Sequence, residues 1–262
     1  MIRLAHLSDI HFGGENVGAV QAAAELLQKE TLDAVIVSGD LTQFGEKAEF
    51  ASAAAWLERL PKPLLAVPGN HDAPYLAWFE RFFAPFARYE AAIGGAEVQT
   101  HRSPGLAVYG LNTARGVQPR ANWSKGQLSR RQAWDAVAWF GQTPRDDVRI
   151  LVCHHPLIEM IGGPMTGKVW GGPKGAETFV EAGVDLVLSG HIHAPFAWPY
   201  PCGDRRTYGV GAGTLSVRER GVPPGFNLIE IDESEIRVKA LAFERVAYQP
   251  YRTWALDRRP AI

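Results

Sequence analysis

Seven side chains able to bind a metal ion stand directly after short apolar runs: Asp9, His11, Asp40, Asn70, His154, His191 and His193. Imidazole together with carboxylate and amide oxygen makes a hard-to-borderline donor set suited to first-row transition metals. Seven donors exceed what one ion with open positions needs. They fit two ions sharing a bridging carboxylate. In such pairs, ~3.5–4 Å apart, a shared water loses its proton near neutral pH and both ions clamp a phosphoryl group for in-line displacement. Neither cysteine, Cys153 nor Cys202, supplies a residue to this set, which argues against a thiolate-bound structural zinc.

Five apolar runs must position these donors. Ile2–Leu7 leads into Ser8-Asp9-Ile10-His11, and Ala34–Val37 into Ser38-Gly39-Asp40. Pro63–Val67 leads into Pro68-Gly69-Asn70-His71-Asp72, Ile150–Cys153 into His154-His155-Pro156, and Leu186–Leu188 into Ser189-Gly190-His191-Ile192-His193. Such runs bounded by Gly and Pro read as buried strands. The carboxyl ends of α/β strands are where sites are built. Asp9 to Asp40 and Asp40 to Asn70 span 31 and 30 residues, one βαβ unit each. Helical spacing over Val17–Lys29 and about Glu46–Leu60 supplies the crossovers.

After Asn70 the spacing widens. A short aromatic helix with Tyr75, Trp78, Phe79, Phe82 and Phe83 follows Pro74, and the aromatics read as packing. Glu97–Arg102 and Leu106–Leu111 read as a hairpin around Ser-Pro-Gly. Ser129-x-x-Gln132 is a capping-box signature for a helix through about Phe140. Leu157–Gly175, with six glycines and two prolines, reads as a long loop over the site, and Ala176–Ala182 as a short helix. Strands alone follow, around Phe196, Tyr208–Gly211, Phe226–Ile231 and Ile236–Phe243, and read as antiparallel. The tail from Arg245 is left without an assigned packing. The expected architecture is α/β: a two-sheet β-sandwich flanked by helices, in a single domain over residues 1–262.

Composition sets outer bounds. A chain of 262 residues can bury a sizeable core. A formal net charge of −1 gives no case for a nucleic-acid polymer or a membrane surface as partner. Two cysteines form no disulfide framework, and the first strand begins at Ile2, so the expectation is a cytoplasmic protein. A homo-oligomer is compatible with all of this.

Asp9-x-His11, Gly39-Asp40, Gly69-Asn70-His71-Asp72, His154-x-Pro156 and Gly190-His191-x-His193 together resemble the ordered signature of the calcineurin-like metallophosphoesterases. The resemblance covers about residues 2–200. Within that family, size and the opening Arg3-Leu4-Ala5-His6-Leu7-Ser8-Asp9-Ile10-His11 are most similar to the bacterial class III cyclic-nucleotide phosphodiesterases. It implies an αββα fold and two divalent or trivalent ions, iron, manganese or zinc. Asp9, His11, Asp40 and His193 would hold one ion; Asp40, Asn70, His154 and His191 would hold the other. His71 corresponds to a non-ligand histidine that faces the phosphate and protonates the leaving oxygen. Many relatives support that histidine with an aspartate three residues after the bridging one, where this chain has Gln43. A neutral amide stabilises the imidazolium less.

The expected activity is hydrolysis of a small phosphodiester, of the cyclic-nucleotide or glycerophosphodiester type. Alternatives are a phosphomonoesterase or nuclease of the same family and, more remotely, a non-catalytic scaffold of this fold. A monoesterase would need several cations around its metals for the second charge, and none of the five motif loops contains Lys or Arg. Arg115, His155, Lys168, Trp170, Arg218 and Arg220 are candidates for substrate contact from segments without a fixed place. Arg115 reads equally as a surface arginine. Asp72 reads as a helix cap, His6 as a packed core histidine, and His101 as solvated.

Overall fold

The computed structural model describes residues 1–159 and 169–259. The first sheet contains β1 (Ile2–Leu7), β2 (Ala34–Val37), β3 (Leu64–Ala66), β10 (Gly225–Ile231), β11 (Glu235–Glu244) and β12 (Ala247–Asp257), in the order β12-β11-β10-β1-β2-β3. The second contains β4 (Val98–Ser103), β5 (Leu106–Leu111), β6 (Val148–Val152), β7 (Leu186–Ser189), β8 (Phe196–Pro199) and β9 (Tyr208–Gly211), in the order β4-β5-β6-β7-β9-β8. Strands β1, β2 and β3 run parallel, as do β5, β6, β7 and β9. The late strands are therefore not all antiparallel: β9 lies parallel to β7.

Side-chain alternation explains why the two sheets face each other. Leu4, Ile36, Ile150, Val152, Leu186 and Leu188 point into one core between the sheets. Their neighbours Ala5, Val35 and Val37 point outward, onto α1 (Val17–Leu27) and α2 (Lys47–Glu58). Leu151 and Val187 likewise point onto α5 (Arg130–Phe140) and α6 (Gly172–Glu181). Strands covered on both faces carry near-continuous apolar runs, as the sequence does. The layers are helix, sheet, sheet, helix, which is the expected αββα architecture.

Local chemistry places the element ends. Asn16 caps α1 by accepting from Ala19 N, and the Ser129–Gln132 capping box opens α5. α6 starts at Gly172, earlier than expected, because Pro173 sits in its first turn and needs no donor there. The tail is not loose: β12 is a long edge strand paired with β11 along its length. The aromatic segment forms α3 (Trp78–Phe83), followed by α4 (Ala87–Ala92). Its aromatics are not packed: Phe79 and Phe83 are 84% and 76% exposed, with Trp78 and Phe82 close behind. No helix among the described residues is long and apolar enough to cross a membrane.

Candidate metal centre

β1, β2, β3, β6 and β7 deliver their terminal residues to one edge of the paired sheets. The loop after β1 is bonded to the loop after β2 through Asp9 N to Gly39 O (2.9 Å) and His11 N to Asp40 O (3.0 Å). The second sheet joins through His191 N to Asp9 Oδ2 at 2.9 Å, and its own two motif loops are bonded through Gly190 N to His154 O, also 2.9 Å. Asp9, His11, Asp40, His154 and His193 are all buried.

The backbone reaches this arrangement at a cost. Among the described residues only seven non-glycines have left-handed φ. Five of them are Asp9 (55°), His11 (53°), Asp40 (51°), His191 (68°) and His193 (62°). Each such residue costs of order 1–3 kcal/mol and persists only where its surroundings over-determine it. Gly190 is required by close approach: a Cβ there would collide with Ser8 Oγ and the Asp9 carboxylate.

Histidine tautomers follow from backbone partners. His11 Nδ1 donates to Thr42 O (3.2 Å), His154 Nδ1 to Ser38 O (2.8 Å) and His193 Nδ1 to Arg218 O (2.8 Å). Carbonyl partners of this kind orient metal-binding imidazoles. The Nε2 lone pairs of His11 and His193 then face each other at 3.3 Å, an arrangement that only a proton or another cation between them makes favourable. His154 Nε2, His191 Nε2, Asn70 Oδ1 and Asp9 Oδ1 are buried and have no hydrogen-bond partner among the described residues. His193 Nε2 does approach Asp9 Oδ1 to 3.0 Å, and His154 Nε2 approaches Asp40 Oδ2 to 3.2 Å. These contacts are ionic and lack hydrogen-bond alignment. Asp40 Oδ2 also lies 3.8 Å from His11 Nε2, so this one carboxylate reaches both halves of the cluster. Asp9, His11 and His193 group on one side, and Asp9, Asp40 and His154 around the middle. The donor set fits two cations.

The buried carboxylates and imidazoles of the cluster shift one another's proton affinity in opposite directions. Burial disfavours charge at His154, yet Asp40 beside it holds its pKa up to about 9. His193 is raised too, by Asp9 against burial. Burial raises Asp9 and Asp40, but the surrounding imidazoles outweigh it and hold both below the usual carboxylate range. His191 falls to about 3 through burial and the neighbouring His154.

His71 departs from the turn after Asn70 and lies outside the seven. Its Nδ1 donates to Gln43 O at 2.7 Å, while Gln43 Oε1 is buried without a hydrogen-bond partner among the described residues. The backbone of residue 43, not its side chain, orients this imidazole. Its Nε2 accepts from Arg218 Nη1 at 3.0 Å. Burial lowers its pKa, with Asp40 opposing. Asp72 is no helix cap, since α3 begins at Trp78; its carboxylate accepts from Gly69 N, Leu41 N, Thr42 N and Thr42 Oγ1 and ties the Asp40 and Asn70 loops together.

The other substrate candidates separate. Arg218 lines a cleft of about 660 Å³ with Asn70, His71, Tyr75, Trp78 and Trp123. His155 is buried, bonded to Thr113 Oγ1 and Ser124 O, and packs its ring 4.6 Å from that of His191, so both its nitrogens are taken. Arg115 donates to Asn112 O, Ala114 O and Gln132 Oε1 and holds the turn between β5 and α5. Trp170 carries the Arg120 guanidinium 4.5 Å over its ring. Lys168 lies outside the described residues, as does much of the expected loop over the site. Sequence reasoning missed the cleft wall: Tyr75 stacks on His71 at 6.1 Å, and nothing in the aromatic pattern distinguishes wall from core.

Two six-stranded sheets back to back, with buried His and Asp gathered at their carboxyl edge, define a metal-dependent phosphoester hydrolase architecture. The family model of the calcineurin-like phosphoesterases matches residues 2–195, and the chain belongs to that family. It is 26% identical over 249 residues to a probable cyclic nucleotide phosphodiesterase from Synechococcus sp., covering 88% of each chain. It is 39% identical over 80 residues to the glycerophosphodiester phosphodiesterase GpdQ of Enterobacter lignolyticus, covering 26% of this chain and 29% of that one. Among solved structures, a purple acid phosphatase from yellow lupin superposes with a TM-score of 0.72 at 12% identity. That match covers 98% of this chain, which spans about half (54%) of the lupin protein, and shows the shared fold.

Proposed function

We propose that the protein hydrolyses small phosphodiesters, of the cyclic-nucleotide or glycerophosphodiester type, at two metal ions that share Asp40. The observation that carries this is the convergence of unpaired imidazole nitrogens and carboxylate oxygens beside the aromatic-walled cleft. Asp9, His11 and His193 would hold one ion, Asn70, His154 and His191 the other. When bound, such a pair supplies an activated water and neutralises phosphoryl charge.

The chain's own residues do the rest. The carbonyls of Thr42, Ser38 and Arg218 hold three ligand imidazoles in one tautomer. Asp72 keeps the Asp40 and Asn70 loops in register. His71, fixed by Gln43 O, faces the cleft and is assigned the leaving oxygen. Its Nε2 accepts from Arg218 here, and the ring acts as an acid only after that nitrogen is released and takes up a proton from solvent. The diester reading is supported by the names of both curated relatives. A monoesterase reading draws on Arg218, a cation that the motif loops do not supply but that reaches the cleft.

The test is kcat/KM for bis-nitrophenyl phosphate, nitrophenyl phosphate, 3′,5′- and 2′,3′-cyclic nucleotides, glycerophosphodiesters and single-stranded DNA under one metal condition. At least one small diester should exceed the monoester. Faster turnover of the monoester than of every diester would overturn the assignment, and efficient DNA cleavage would favour a nuclease.

A further inference from the structure

Cations near the cleft are mostly committed elsewhere. Arg81 donates to Gly116 O, Ala73 O and Pro74 O, and Arg115 to its own turn. Arg120 is bonded to Lys125 O and Gly126 O. Arg218 differs. Its side chain makes a single hydrogen bond among the described residues, from Nη1 to His71 Nε2. A guanidinium carries five donors, and a neutral imidazole nitrogen is a weak partner for it compared with a phosphate oxygen.

The backbone beneath Arg218 is fixed to the metal cluster. Thr214 Oγ1 donates to Asp9 O at 2.6 Å, and Ser216 N donates to Thr214 Oγ1 at 3.0 Å. Arg218 N donates to Ser216 Oγ at 3.2 Å, and Arg218 O accepts from His193 Nδ1. A short chain of hydrogen bonds thus aims residue 218 from the ligands themselves. Arg220, two residues on, is half-buried and makes no hydrogen bond or ion pair among the described residues. Burial lowers its pKa, the nearby Arg218 lowers it further, and Asp9 opposes both.

We propose that Arg218 is the anion clamp of this site, moving its donors from His71 Nε2 to a non-bridging oxygen of the bound phosphoryl group. The clamp fixes the phosphorus against the ligand cluster and frees His71 Nε2 to face the leaving oxygen. Arg220 adds positive charge to the same segment without lining the cleft. This rests on the site being a phosphoester site, and not on which ester is turned over.

The experiment is calorimetric titration of inorganic phosphate into the metal-loaded protein, comparing wild type with Arg218→Met, Arg218→Lys, Arg220→Met and the double Met variant. Metal content is measured on each. Arg218→Met should weaken phosphate binding about ten- to hundredfold, the range of a lost charge-assisted contact. Arg220→Met should weaken it less, the double variant most, and Arg218→Lys should be intermediate, because lysine offers one point charge without the fork. Added guanidinium ion should restore part of the turnover of Arg218→Met and leave wild type unchanged. Phosphate affinity within twofold of wild type in Arg218→Met would overturn the clamp. Should Arg218→Met lose metal, Arg218→Lys decides, and unchanged affinity there overturns it. A monoester preference in the substrate panel would leave this result standing, because phosphate binding is read without turnover.

Discussion

Metal uptake should expel a proton from His154. Asp40 Oδ2 lies 3.2 Å from its Nε2 in a fully buried setting, and although burial works against the charged ring, its pKa is raised to about 9. A metal ion needs the same Nε2 lone pair. At pH 7 the ring therefore has to give up a proton held about two units too tightly, a penalty of roughly 3 kcal/mol, or about a hundredfold in affinity. Apparent affinity for the ion at His154 should rise about tenfold per pH unit between pH 6 and 8. Calorimetry at pH 7 in two buffers of different ionisation enthalpy should report about one proton released, with His193 adding to the total. The sign for stability is opposite. A histidine with a raised folded pKa stabilises fully below its unfolded value of 6.5, and that stabilisation is lost as pH rises through about 9. The metal-free protein should thus lose stability over pH 6.5–9 while the metal-loaded protein gains affinity for its ions. Metal affinity independent of pH from 6 to 8, with no buffer-dependent heat, would refute the reasoning.

Two substitutions follow from the same geometry. Asp40→Ala removes a carboxylate whose Oδ2 lies within 4 Å of both His11 and His154, and the acceptor of His71 N at 2.8 Å; it should fall from two bound ions to one or none by elemental analysis and lose activity by several orders of magnitude. His71→Ala should keep both ions and lose ~10²–10⁴-fold in rate on diesters with poor leaving groups, and much less with nitrophenolate. An equal loss across leaving groups would make His71 a phosphate binder instead.

The motif strands were legible because β1, β2, β6 and β7 are covered on both faces and so are mostly apolar, interrupted only by Arg3 and His6 in β1 and Arg149 in β6, before they give way to Ser, Gly, Asp or His. A chain that places such stops after five strands announces where its site lies. What the sequence hid is of three physical kinds. Backbone conformation is one: nothing in Asp9 or His191 declares a left-handed φ. Main-chain partners are another. Gln43 could be judged only by its amide, whereas its carbonyl does the holding. The third is direction. Trp78, Phe79, Phe82 and Phe83 have the composition of a core helix, and α3 nevertheless turns them outward, Trp78 onto the cleft. Arg218 belongs with these, since only the hydrogen bonds running from Asp9 through Thr214 and Ser216 bring it to His71.

The most direct measurement of the central claim is anomalous scattering from crystals grown with manganese. Two peaks should appear per chain, ~3.5–4 Å apart, with the Asp40 carboxylate between them, His11 and His193 at one and His154 and His191 at the other. A single peak, or two peaks with Asp40 bound to neither, in crystals of enzyme that is fully active would contradict it.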